Sequence, residues 1–217
     1  KLAMNPIHED MDEAAEMVKP IFGINIVVNS KRKHSGIFCG DFMKAWIESC
    51  KFCQKYYGVP IKHEADIVIV SCGGYPKDIN LYQGVKTLTN AINALKKGGI
   101  CIFIAECREG GGAPDFFDWI KPLNAGNLDK ALREAFTIAG YIFYASCEAV
   151  SKAEKFYMLS NFENSEVSGM GIDSYKNIDD ILKQVDFTGK SVYVIPNGGG
   201  MLPQMPDTFC SHNAEFK

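Results

Sequence analysis

Tyr82, Gln83 and Lys86 are the residues whose types and spacing can do chemistry. Gln83 and Lys86 stand three apart, so on a helix they share a face. An amide beside an ammonium there can hold a small carboxylate or phosphate. They follow Gly73, Gly74 and Pro76, which interrupt the β-branched run Ile67-Val68-Ile69-Val70, the pattern of a strand buried on both faces. Asp78 and Asn80 can each cap a helix. Leu81, Val85, Leu88, Ile92 and Leu95 then recur at alternating steps of four and three, setting one helical stripe against a core. Strand, glycine turn and helix start together gather anions, because free backbone N–H groups and the positive helix end point out of the turn. A plainer account also stands: such corners recur throughout doubly wound folds, and lysines and glutamines near helix starts are commonly solvated.

Two further strand-like runs end in glycine. Ile100 to Ala105 leads into Glu106-Cys107-Arg108-Glu109-Gly110-Gly111-Gly112, and Ser191 to Ile195 leads into Asn197-Gly198-Gly199-Gly200. Glycine at such strand ends lets backbone approach a ligand closely, and open α/β sheets bind ligands outside the carboxyl ends of their strands. Glycines that merely shape tight turns would leave the same pattern. Between these runs the periodicity predicts a helix from Asn80, closed by Lys96-Lys97-Gly98-Gly99. It predicts further helices at Pro114 to Ile120, Asn127 to Ala139, Tyr141 to Ala153 and Ile178 to Val185, and a strand at Phe156 to Leu159. The fold class is therefore α/β: a doubly wound, mostly parallel sheet flanked by helices.

Ahead of this core lies a small helix-hairpin-helix segment. Pro6 or Ile7 opens a helix with Met11, Ala14, Ala15 and Val18 along one side; strands at Ile24 to Val28 and Gly36 to Cys39 flank the basic turn Lys31-Arg32-Lys33-His34. Asp41 can cap a long helix running to Tyr57, with Phe42, Ala45, Trp46, Ser49, Cys50 and Cys53 inward. The expected division is residues 1–64 for this segment and 65–217 for the α/β core.

Composition narrows the function. The 217 residues are 47% hydrophobic, enough for one sizeable core, and carry a net charge of −3. No basic stripe marks a nucleic-acid partner, no apolar run is long enough to span a membrane, and Lys1 to Lys19 is too polar for a signal peptide. Of eight cysteines, Cys39, Cys101 and Cys147 sit in apolar runs and read as small core residues. Cys50 and Cys53 form a lone CxxC inside a helical pattern, without the second pair a zinc site needs. A reducing cytoplasm fits. No GxGxxG, Walker lysine or GxSxG elbow occurs. Cys72, at a strand end before Gly73, is the one placed like a nucleophile, but no histidine is near it in sequence and a small core residue explains it as well.

ADIVIVSCGGYPKDINLYQGVK, NALKKGG and IAECREG resemble the C-terminal half of the nickel-dependent lactate racemase family; NPIHED resembles its crossover into that half, and VIPNGGGMLP its closing strand and loop. The likeness runs from about Asn5 to Pro203. It implies one domain of a two-domain α/β isomerase that interconverts the D and L forms of lactate or another small 2-hydroxy acid by hydride transfer. The cofactor it implies is a nickel-pincer nucleotide. Gln83 and Lys86 match the family's QxxK, which holds the substrate's carboxylate and oxygen; Tyr82, Gly73 and Gly74 are expected beside them, and a pocket aromatic should fall near Tyr141 to Tyr144. His8 matches the NPxH position and is the expected nickel ligand, although a lone histidine on a first helical turn is commonly just surface. The family's proton-shuttling histidines and cofactor-tethering lysine belong to a preceding catalytic half that this sequence does not include, so the isolated chain is expected to lack the cofactor and to be inactive. The competing expectation is a free-standing α/β module that binds an anion or nucleotide without catalysis. The racemase reading expects an apolar face beside the glycine loops; the module expects that face polar and closed.

Overall fold

The computed structural model describes residues 5–29, 31 and 33–205, and their contacts divide at Gly58/Val59 into two compact units.

In the first unit, α1 (Pro6–Val18) precedes an antiparallel ribbon of β1 (Gly23–Val28) and β2 (His34–Gly40), and α2 (Phe42–Tyr57) packs on that ribbon. Asp41 caps α2, its side chain accepting from Lys44 N at 3.0 Å. Of the six residues expected inward on α2, Ala45 and Ser49 are fully buried and Phe42, Trp46, Cys50 and Cys53 half-buried. The apolar side of α1 buries none of its residues. Lys31, Lys33 and His34 of the basic turn are exposed, and Arg32 lies outside the described residues.

The second unit begins with β3 (Gly58–Pro60), which pairs with the last strand, and continues through β4 (Ala65–Ser71), α3 (Leu81–Ala91), β5 (Leu95–Ile104), a 3-10 turn at Phe116–Trp119, α4 (Ile120–Asn124), α5 (Leu128–Glu134) and α6 (Ile138–Ser151). It then runs through β6 (Ala153–Leu159), α7 (Asn164–Val167), β7 (Asp173–Tyr175), α8 (Ile178–Leu182), β8 (Val192–Ile195) and β9 (Leu202–Gln204). Five strands form one sheet in the order β7-β6-β5-β4-β8, every pair parallel. The chain winds outward from β4 through β5, β6 and β7, then returns to lay β8 on the other side of β4. The strand order thus reverses beside β4, the position where open sheets form a crevice. Helices cover both faces: Val68, Val70, Cys101 and Phe103 pack in the larger core with Leu81, Val85, Leu88 and Phe143, while Ile67 and Ile102 pack with Ile181 and Val185 on the opposite face. Among the described residues no helix is long and apolar enough to cross a membrane.

Several boundaries differ from expectation for physical reasons. The helix after Asn80 ends at Ala91, followed by a 3-10 turn; Leu95, the expected last rung of its ladder, starts β5 opposite Ala65. Lys96 to Gly99 therefore lie in the irregular start of a strand, where Lys96 reaches Asp66 Oδ1 at 2.8 Å. The expected helix at 127–139 breaks after Glu134, because Thr137 caps a new helix by accepting from Gly140 N. Cys101 is fully buried and Cys147 is half-buried against the larger core, but Cys39 is exposed on the ribbon, so one of the three expected core cysteines sits outside the core.

Candidate functional site

Because β4, β5 and β8 are parallel neighbours, their carboxyl ends lie along one edge of the sheet, and the three glycine segments that follow them meet there. The loop after β4 turns at Gly73 and Gly74, both at positive φ (85° and 79°), in the left-handed region that favours glycine. Gly73 is also required by space: a Cβ there would lie 2.8 Å from Asn197 Oδ1 of the loop after β8. Lys77 crosses the same gap, donating from Nζ to Asn197 Oδ1 at 2.8 Å. Gly198 and Gly199 lie against Val70 and Thr87, so backbone rather than side chain fills the β4/β8 crevice.

The loop after β5 is fastened to the start of α3. Cys107 N donates to Asp78 O at 2.8 Å and Glu109 N to Ile79 O at 2.9 Å. Arg108 lies over the Tyr75 ring at 4.2 Å. Asn80 is the N-cap, its Oδ1 accepting from Gln83 N at 3.0 Å. Leu81 N donates to Gly110 O at 2.9 Å and Tyr82 N to Gly111 O at 3.1 Å. This corrects the expectation of free amides at the helix start, since the first-turn N–H groups are already occupied by the neighbouring glycine loop. The donors that remain at this end of α3 are therefore side chains.

Those side chains are Gln83 and Lys86. Lys86 is exposed, Gln83 half-buried, and Lys86 Nζ donates to Gln83 Oε1 at 2.9 Å. That contact directs the ammonium toward the amide and leaves the Gln83 amide nitrogen to donate elsewhere. Tyr82 is half-buried and packs against the larger core, so it supports the helix start as well as flanking the pair. Behind the pair, burial pushes the Cys72 thiol up to about 11, partly opposed by the Thr87 hydroxyl. A thiol held protonated in this way is a core residue and a poor nucleophile. Burial likewise raises Cys50 and Cys53, with Cys53 adding to the effect on Cys50. Asp78 is buried, and its Oδ1 lacks a hydrogen-bond partner while Oδ2 accepts from Glu106 N at 3.3 Å.

His8 belongs to the first unit. Its Nδ1 lies 3.0 Å from Asp12 Oδ2, and its ring rests on Trp46 with centroids 4.8 Å apart. Among the described residues no three His, Cys, Asp or Glu side chains converge as a metal site. Of the aromatics near 141–144, Tyr141 and Tyr144 line a surface hollow with Phe136 and Arg133.

Residues 61–202 match the family model described as the lactate racemase C-terminal domain, well over half of the chain. The chain belongs to that family. Among proteins named lactate racemase, that of Thermoanaerobacterium thermosaccharolyticum is 43% identical over 120 residues, 55% of this chain and 28% of its own length. That of Lactiplantibacillus plantarum is 40% identical over 116 residues, 54% of this chain and 27% of its own. The solved lactate racemase apoprotein from T. thermosaccharolyticum superposes with a TM-score of 0.83 at 31% identity, covering 94% of this chain and 50% of that one. A crystal structure of a Thermotoga maritima protein shares the fold, with a TM-score of 0.66 at 14% identity over 93% of this chain and 54% of that one. The lactate racemase C-terminal domain family therefore accounts for the second unit, and this chain spans about half the length of the solved racemase it matches.

The sequence singled out Gln83, Lys86, Tyr82, Gly73 and Gly74, which the fold gathers at one sheet edge. It missed Lys77 and Asn197, whose partnership spans 120 positions and appears only once β8 lies beside β4.

Proposed function

We propose that this chain is the substrate-side domain of a two-domain isomerase that racemises or epimerises lactate or a similar small 2-hydroxy acid. The observation that carries this reading is the Lys86–Gln83 pair, 2.9 Å apart at a capped helix start beside three glycine loops. Lys86 Nζ and the Gln83 amide would together donate to the substrate's carboxylate and C2 oxygen, fixing the molecule in one orientation. The Lys86 ammonium would stabilise the negative charge that the substrate oxygen gains as its hydroxyl proton is removed. Gly74, with nothing within 4 Å of its Cβ position, leaves backbone open to a substrate, whereas the space at Gly73 is taken by the Asn197 side chain.

A nickel-pincer nucleotide, when bound, supplies a reversible hydride acceptor for C2. His8 fits the part of its protein nickel ligand: Asp12 engages Nδ1, which orients the ring and leaves Nε2 with its lone pair, and imidazole suits nickel. With no second ligand group converging among the described residues, the remaining donors would come from the cofactor. Proton transfer at the substrate hydroxyl is assigned to the preceding half of the full-length protein, which makes the isolated chain inactive. The free-standing module reading loses support, because the α3 amides that would bind an anion are occupied.

The test is racemisation of D- and L-lactate by full-length protein from cells carrying the cofactor pathway, with nickel and nucleotide content measured in parallel. Lys86→Ala is expected to lower turnover by roughly 10²–10³-fold, as for loss of one preorganised charge-stabilising donor, with the circular dichroism spectrum unchanged. Undiminished racemisation removes Lys86 from the site. Nickel without lactate turnover redirects the reading to another 2-hydroxy acid, and failure to load nickel favours the binding module.

A further inference from the structure

We propose that Lys77 and Asn197 form a second anion subsite, so that the substrate of this domain is a small 2-hydroxy acid with a second acid group. The inference rests on the isomerase reading above and narrows its substrate class to 2-hydroxy diacids.

The Lys77–Asn197 contact repeats the chemistry of the Lys86–Gln83 pair. In each, a lysine ammonium donates to the oxygen of a side-chain amide: Lys77 Nζ to Asn197 Oδ1 at 2.8 Å, and Lys86 Nζ to Gln83 Oε1 at 2.9 Å. Each ammonium keeps two further N–H donors, and each amide keeps its nitrogen to donate. A cluster of donors around a positive charge selects an anionic oxygen, since charge-assisted hydrogen bonds are roughly twice as strong as neutral ones.

Neither ammonium is neutralised. Among the described residues no carboxylate forms an ion pair with Lys77 or Lys86, whereas Lys96, Lys152 and Lys176, at other strand ends, pair with Asp66, Glu64 and Glu163 at 2.8–3.1 Å. Asp78, next to Lys77 in sequence, is buried and accepts from Glu106 N instead. A lysine that served only to tie the β4 and β8 loops together would work as well with an aspartate at position 197. Asparagine makes the tie and leaves the charge available.

The surroundings keep space beside that charge. Gly74 has nothing within 4 Å of its Cβ position. A Cβ on Gly199 would meet Thr87 Oγ1 at 2.9 Å and Lys77 Cδ at 3.5 Å, so the glycine holds open a polar hollow between Lys77 and α3. Thr87 stands four residues from Gln83, one turn along the same side of the helix. The hollow therefore borders the first lysine–amide pair, and one short diacid can engage both.

The test is calorimetric titration of full-length protein with racemic lactate and with racemic 2-hydroxysuccinate. Racemic acids undergo no net conversion, so loaded protein can be used. The readout is the ratio of the two dissociation constants. The diacid is expected to bind about tenfold or more tightly than lactate, as for one added charge-assisted hydrogen bond. Lys77→Met and Asn197→Asp should each remove that advantage; the second retains a partner for Lys77, and so the tie between loops, while neutralising its charge. Equal or weaker binding of the diacid by the unaltered protein overturns the proposal. So does an advantage that survives Asn197→Asp, even where Lys77→Met abolishes it, because the tie rather than the charge would then be what matters. Lys86→Ala should weaken binding of both acids. If it weakens neither while Asn197→Asp still removes the preference, the second subsite stands and the isomerase reading falls.

Discussion

Replacing Gly112 with alanine tests whether the β5 loop holds the candidate site in place. Gly112 has φ +95°, and a Cβ there would lie 2.5 Å from Asn80 Cγ and 2.7 Å from Oδ1, the atom that caps α3. The alanine meets three penalties. A left-handed backbone costs an L-residue about 1–2 kcal/mol. Displacing the cap costs about 1 kcal/mol more, and forcing a methyl into packed space adds about 1 kcal/mol at the low end of such overpacking. Gly110 is the control, because it has φ +61° but nothing within 4 Å of its Cβ position. Gly110→Ala should therefore lose only the backbone penalty, about 1 kcal/mol, and Gly112→Ala about 3 kcal/mol. Urea denaturation followed by far-ultraviolet circular dichroism reads both, provided the slope m is unchanged. Adding Asn80→Gly to each variant closes the cycle: in that background the excess at Gly112 should vanish, because the group it strikes is gone. Equal losses for Gly110→Ala and Gly112→Ala, or an excess that survives Asn80→Gly, refute the coupling between this loop and the helix cap.

Other consequences are testable on the same chain. Burial holds the Cys72 and Cys147 thiols at about 11 and about 12, against 9.0 ordinarily, so between those values the unfolded chain releases protons that the folded chain retains. Their contribution to stability is complete below about pH 9 and falls away as pH rises through the folded values. Denaturation midpoints should drop over that interval, less steeply in Cys72→Ala; an identical drop in the variant refutes the assignment. Gly198→Ala would set a methyl 2.6 Å from Val70 Cγ2 and 2.8 Å from Thr87 Cγ2. It should cost about 1–3 kcal/mol in the same urea assay, and a neutral result would show that the crevice is looser than described.

Legibility in the sequence tracked how local each cause was. The β-branched run of β4, the Asn80 cap and the Asp41 cap act within a few residues, and each appears where the pattern placed it. The α3 ladder misled because Leu95 keeps helical spacing while answering to Ala65 across the sheet; pairing with a distant strand outweighed local periodicity. Short elements such as α7, where Glu163 and Glu166 form a capping box over one turn, offer too few residues for a period to show. At the site, types and spacing of Gln83 and Lys86 were readable, but the occupancy of the α3 amides was not. Gly110 and Gly111 satisfy them from nearly thirty residues away, and only the adjacency of β4 and β5 brings them there.

The late return of β8 has a consequence for how the molecule is made. Until β8 emerges, β4 is an edge strand, and Ile67-Val68-Ile69-Val70 presents unpaired backbone beside apolar side chains. β8 supplies the missing partner 125 positions later, pairing Ile67 with Val192 and anchoring through Ser191, whose Oγ donates to Asp66 Oδ2 at 2.6 Å. Nascent chains halted before Ser191 would carry an open, sticky edge of the kind that recruits other strands. Such truncations should collect in aggregates, and Asp66 and Ser191 act as the clasp that takes the finished chain out of that danger.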